Sequence, residues 1–282
     1  MRMLWLLPVV LGVLSPHLTA AEIKVDELLN QAGVVFAKGR SAEAIELATQ
    51  VITAEPKNAK AYYVRGRFYA ETRQPQKSLT DLDRALLFDP NLAIAYYTRA
   101  TEQFKIGRVK ESAMDFDKFV ELAPGQTPKL WQRGIACYYA GRYEDAQKQF
   151  ELHQTINSND VENAVWHFLC VARIAGIDRA RASLIKIEKD QRVPMMQIYA
   201  LFAGKGSAED VMKAATGGKP SPEELNSRIF YAHFYLGLYF DVAGNGKLAR
   251  QHILEAADQF KVDDFMGDVA RIHATLLRQQ QR

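Results

Sequence analysis

Cysteine is nearly missing from this sequence. Two in 282 residues exclude a disulfide framework and a four-thiolate metal site. A dominant charge sign is missing as well: 36 Lys and Arg against 33 Asp and Glu leave a net +3, too even a balance to mark a nucleic-acid surface. No stretch reaches the 18 uninterrupted apolar residues of a membrane-spanning helix. Catalytic signatures are lacking too, with no H-E-x-x-H, no G-x-S-x-G and no clustered His/Cys set. Gly244-Asn245-Gly246-Lys247-Leu248-Ala249 spells a degenerate dinucleotide fingerprint, but it lies between two helical patterns, whereas that motif needs a preceding strand. Gly218-Lys219 lacks the glycine five residues earlier that a phosphate loop requires, and Pro220 replaces its Ser/Thr. His167 and Cys170 share a helical face without a third polar group to orient them, so both are expected in a packed core. Cys137 and Cys170 fall on neighbouring helices, whose axes run 8–10 Å apart, long for a disulfide. The expectation is a protein that is not an enzyme and carries no cofactor and no metal.

The first segment is an export signal by layout. Arg2 precedes an apolar run from Leu4 to Leu14, Ser15-Pro16-His17 break it, and Thr19-Ala20-Ala21 offer the small residues of a cleavage site. Residues 1–21 are therefore expected to be removed, leaving an exported chain, periplasmic or secreted. No cysteine stands at the cleavage point, so lipid anchoring is not expected, and no later segment is long enough to cross a membrane.

The rest of the chain is organised by a 34-residue period. Pro56, Pro90 and Pro124 keep it, as do Arg65, Arg99 and Arg133; Gly66, Ala100 and Gly134; and Tyr63, Tyr97 and Trp131. That period is the length of the tetratricopeptide (TPR) repeat, an antiparallel helix pair followed by a proline-marked turn. Each column has a physical reason. Small residues at Gly66, Ala100 and Gly134 let helix B approach helix A, and Ala44, Ala146 and Ala180 do the same from the B side. Gly39, Gly107 and Gly141 fall at the turn between them, where the backbone goes left-handed. The fold class is thus all-α, a right-handed superhelix of helix-turn-helix repeats with a capping C-terminal helix. Repeats are expected at 25–58, 59–92, 93–126 and 127–160. Segment 161–222 reads as a degenerate repeat and irregular helices, and 223–282 as a TPR-like pair and the cap, which a solenoid needs to cover its last stacking face.

TPR domains line their concave wall with helix-A positions 2, 5, 9, 12 and 13. By that resemblance the wall holds Lys60, Tyr63, Arg67 and Glu71, then Ile94, Tyr97, Thr101, Phe104 and Lys105, then Trp131, Ile135, Tyr138 and Tyr139. Recurrent aromatics there suit a protein or peptide partner, and Tyr63, Arg67, Tyr97, Phe104, Lys105, Trp131 and Tyr138 are the candidate binding residues. The competing reading is that these rings pack between repeats or under the chain's own C-terminal helices. The arginine column is expected to pair with the acids Asp83, Asp117 and Glu151, also 34 apart.

Two stretches narrow the resemblance. Arg133-Gly134-Ile135-Ala136-Cys137-Tyr138-Tyr139-Ala140-Gly141-Arg142 and Phe234-Tyr235-Leu236-Gly237-Leu238-Tyr239 are similar to segments of the NlpI-like group of bacterial envelope TPR proteins. That resemblance implies a non-catalytic adaptor, often a homodimer, that holds cell-wall hydrolases and a protease together. Members of the group are lipoproteins, and this chain departs from them there. The Lys, Asn and Arg of carboxylate-clamp TPRs are replaced by Leu29, Gly33, Val64, Ile94 and Thr98. Self-assembly through the apolar run from Ile229 to Phe240 is the alternative function, and a hydrolase built on His167 and Cys170 the third.

Overall fold

The computed structural model describes residues 20–279, so most of the expected export segment, residues 1–21, lies outside them. Every regular element among the described residues is helical. Five hairpins follow one another: α1 (Ala20–Ala37) with α2 (Ser41–Ala54), α3 (Ala59–Glu71) with α4 (Pro75–Phe88), α5 (Ala93–Lys105) with α6 (Val109–Leu122), α7 (Trp131–Tyr139) with α8 (Tyr143–Gln154), and α9 (Val161–Ala175) with α10 (Ile177–Ala182). Each helix packs on the next, and α1, α3, α5, α7 and α9 line up as one wall.

The close approach inside each hairpin is visible at its small residues. A Cβ on Gly66 would stand 3.2 Å from Leu82, and one on Gly134 would stand 2.6 Å from the Phe150 ring. Gly39, Gly107 and Gly141 have φ of 79°, 82° and 77° at the turns. The second repeat breaks this rule, because its turn residue is Arg73, left-handed at φ 56° without being glycine.

The arginine column forms a ladder on a different register from the one expected. Arg65 grips Asp81 through Nε and Nη2 at 2.7 and 2.8 Å, and Arg99 grips Asp115 the same way at 2.7 and 2.8 Å. These acids stand 16 residues after each arginine and were not read from the sequence. The expected acids serve the following repeat: Asp83 accepts from Arg99 at 2.7 Å and Asp117 from Arg133 at 2.9 Å. Glu151 does not reach Arg133. It meets His167 Nε2 at 3.3 Å, because His167 stands where a fourth arginine would be, 34 residues after Arg133. His167 is 4% exposed and burial lowers its pKa. Cys137 and Cys170 are free and buried; burial pushes the Cys137 thiol up to about 11 and raises Cys170 as well. Neither cysteine is a nucleophile in that setting.

Beyond α9 the regularity stops. α10 ends after six residues, and segment 183–194 runs without regular structure into α11 (Met195–Phe202) and α12 (Ala208–Thr216). That segment is held by Arg192, which bonds Asp160 at 2.6 Å, Glu162 at 2.5 Å and Asp190 at 2.5 Å. A last pair, α13 (Pro222–Val242) and α14 (Gly246–Leu254), runs into a short π-helix at Glu255–Gln259 and then α15 (Phe265–Gln279). Gly237 repeats the close approach of Gly66 and Gly134: a Cβ there would stand 2.6 Å from Ile253.

Candidate functional site: the concave wall

Two C-terminal helices turn back onto the wall and cover its second half. α13 lies on α9, where Tyr235 donates to Glu162 at 2.6 Å and Arg173 pairs with Asp241. The Trp166 and Phe234 rings meet in the same contact, 6.3 Å apart. α15 crosses α5 and α7. Its Phe265 ring stacks on Phe104 at 5.2 Å and meets Trp131 edge-on at 5.2 Å. Further along, His273 Nδ1 bonds the Tyr139 hydroxyl at 2.9 Å, and Ile272 lies over Gly107. At the front edge Arg73 pairs with Asp263 and stands 3.8 Å from Asp268.

The seven candidate residues separate accordingly. Phe104 is fully buried and Tyr138 is 5% exposed, so both are corrections: they are core under α13 and α15, not a contact surface. The Tyr138 hydroxyl accepts from Arg173 at 3.2 Å, and burial raises its pKa. Trp131 is half-buried with Phe265 against it. Lys105 turns aside to Glu102 at 2.5 Å. Glu102 is 1% exposed, and burial pushes its carboxyl above the usual range. The rings thus obey the competing reading wherever the C-terminal helices reach.

Tyr63, Arg67 and Tyr97 differ. They are half-buried, on the part of the wall built by α1, α3 and the front of α5. α1 and α3 pack chiefly on α2, α4, α5 and each other. Tyr97 rests on Phe116 at 5.8 Å and accepts from Gln132 at 3.0 Å. Tyr63 holds the equivalent place one repeat earlier, and burial raises the pKa of both phenols. The guanidinium of Arg67 lies over the Phe68 ring at 5.3 Å, 3.9 Å from Glu71. Lys60 and Asp26, both at the second position of their repeats, pair across the wall at 2.6 Å. The result is a braced, amphipathic half-groove that ends where Arg73 meets the C-terminal arm.

Reasoning from sequence missed Arg73, Arg173, Asp241, Phe265 and His273, which close the other half. Only Arg73 left a signal, as the single break in the turn-glycine column. Among the described residues no group of three or more His, Cys, Asp or Glu gathers as a metal site, and no helix is long and apolar enough to cross a membrane.

Comparison with known proteins agrees with this architecture. The Tetratricopeptide repeat family profile matches residues 29–93. A tetratricopeptide repeat protein from Parabacteroides merdae superposes with a TM-score of 0.59 at 16% identity, over 91% of this chain and 99% of its own. The protein named MamA gives 0.52 at 17% identity, over 70% and 97%. Pseudomonas aeruginosa pilF gives 0.50 at 12% identity, over 93% and 100%. No curated protein matches the sequence. At these identities the likeness is one of fold: the chain is an all-α TPR solenoid.

Proposed function

We propose that this chain is an exported, non-catalytic scaffold that holds a protein or peptide segment in the open half of its concave wall. The carrying observation is the contrast at one structural position: Tyr63 and Tyr97 stay partly exposed on an uncovered wall, whereas their equivalent Trp131 is met by Phe265. Tyr97, held by Gln132 of the next repeat, loses little freedom on binding, which favours its use as an anchor. Arg67, beside them, supplies a charge for orientation. Export rests on the layout of residues 1–21, and an envelope role of the NlpI-like kind on the two similar segments. The apolar run from Ile229 to Phe240 gives no motive for a homodimer, because Phe230, Phe234, Tyr235, Leu236 and Leu238 are buried within one chain.

The test uses residues 22–282 and the Tyr63→Ala/Arg67→Ala form as parallel baits in envelope extract, with a Leu87→Ala control on an exposed residue of α4. Partners kept by the control and lost by the double variant bear out the open half-groove. An identical set from all three baits places binding elsewhere. For export, residues 1–21 fused to a reporter active only outside the cytoplasm should give activity, and an inactive fusion would sink that part.

A further inference from the structure

Away from the concave wall, between α13 and α14, four rings stand in a row: Phe260, His233, His252 and Phe240. Successive centroids are 5.6, 5.0 and 5.6 Å apart. At the centre the Nδ1 atoms of His233 and His252 face each other at 3.0 Å. Nothing in a helical hairpin demands this, since a pair of apolar residues would pack as well without two imidazoles competing for one proton. The two rings are half-buried, and burial lowers both pKa values, that of His252 to about 4.

We propose that His233 and His252 chelate a single borderline divalent cation, Cu(II), Ni(II) or Zn(II), through their Nδ1 atoms. The separation carries the idea. Two nitrogens about 2.0–2.1 Å from one ion stand roughly 2.9 Å apart at a right angle and roughly 3.3 Å apart at the tetrahedral angle. The observed 3.0 Å, which a hydrogen bond between the rings also satisfies, lies inside that interval, so the two nitrogens already stand at a chelating separation. The imidazole that donates its Nδ1 proton to the other shifts it to Nε2, and the pair loses no proton. Phe260 and Phe240, stacked on the outer faces, limit how far each ring turns.

A third group stands by. Glu255 follows His252 by three residues, on the same helical face, and its charge reaches that imidazole. It opens the π-helix Glu255–Gln259, a form frequent at functional sites. Among the described residues no third ligand touches the pair in this conformation, so water and, after a change of rotamer, Glu255 would complete the coordination. The bound ion would tie α13 to α14, and through α13 the cover of the concave wall.

The experiment is a calorimetric titration of tag-free residues 22–282 with CuCl2, NiCl2 and ZnCl2, alongside His233→Phe and His252→Phe. Those replacements keep the ring row, and circular dichroism checks that each variant is folded. The proposal expects one ion per chain, Cu(II) bound more tightly than Ni(II) or Zn(II), and affinity at least about tenfold weaker in either variant. Electron paramagnetic resonance of the Cu(II) form should show nitrogen ligation that both substitutions remove. Absence of saturable binding, or binding unchanged in both variants, overturns it.

Discussion

From α1 to α6 the same contacts recur every 34 residues; from α9 onward almost none does. The regular part is held by small residues that bring helices together and by an arginine ladder in which each guanidinium joins two repeats. The irregular part is held by aromatic rings and by polar links that occur once each, such as Tyr139–His273 and Tyr235–Glu162. A periodic array can extend but cannot cover its own concave face, because each repeat contacts only its neighbours. Covering that face needs helices that leave the period and return, and α13 and α15 do so. Losing the repeat is thus what lets the second half of the wall become core.

Substitutions that strike one half sharpen the comparison, beginning with the largest effect. Gly134→Val drives a side chain into the Phe150 ring and should destabilise by about 4 kcal/mol. Gly66→Ala, at the looser position, should change stability by less than about 1 kcal/mol because helix propensity offsets the crowding. Urea unfolding compares them, and equal losses would break the account of hairpin packing. Asp115→Ala takes from Arg99 its two-pronged partner and should cost about 3 kcal/mol, with the midpoint lowered at pH 7.

Acid should separate the halves. No histidine lies between His17 and His153, whereas His273 is buried under burial pressure that lowers its pKa to about 4. The unfolded chain takes up that proton first as pH falls, so the stability it contributes is complete above pH 6.5. It declines between pH 6.5 and 4 and changes no further below, a loss on the order of 3 kcal/mol. Hydrogen exchange at pH 7 and pH 5 should therefore show α15 and α7 losing protection while α3 and α4 keep it. Uniform loss across the chain would contradict this.

The smallest effect is expected at Arg73→Gly. Glycine relieves a left-handed backbone, worth about 1 kcal/mol, and removes a largely exposed ion pair worth no more than about that. The net change in thermal midpoint should be close to nil, while Arg73→Ala, which keeps the backbone cost and loses the pair, should lower it.

Repeats, turns and close approaches were legible because local geometry imposes them at a fixed interval: Gly134 must be small beside Phe150 in any chain that packs this way. Groove closure was not legible. Phe265 meets Phe104 across 161 positions of sequence, and nothing periodic announces such a contact. The aromatics of the wall read the same whether a partner or α15 covers them, so the pattern alone puts Phe104 and Tyr138 on a surface they do not form. The ladder was half legible. Its acids at Asp83 and Asp117 stood out by period, but assigning each to its repeat depended on which turn of helix B faces the arginine.

The central claim, that α15 fills the groove over α5 and α7, is tested most directly by a double-mutant cycle between Phe104 and Phe265. Phe104→Leu, Phe265→Leu and the double variant would be unfolded in urea at pH 7. The stacked pair predicts a coupling energy of about 1 kcal/mol. Strict additivity of the two single losses would mean that α15 does not lie on this wall, and that the groove is open over α5 and α7.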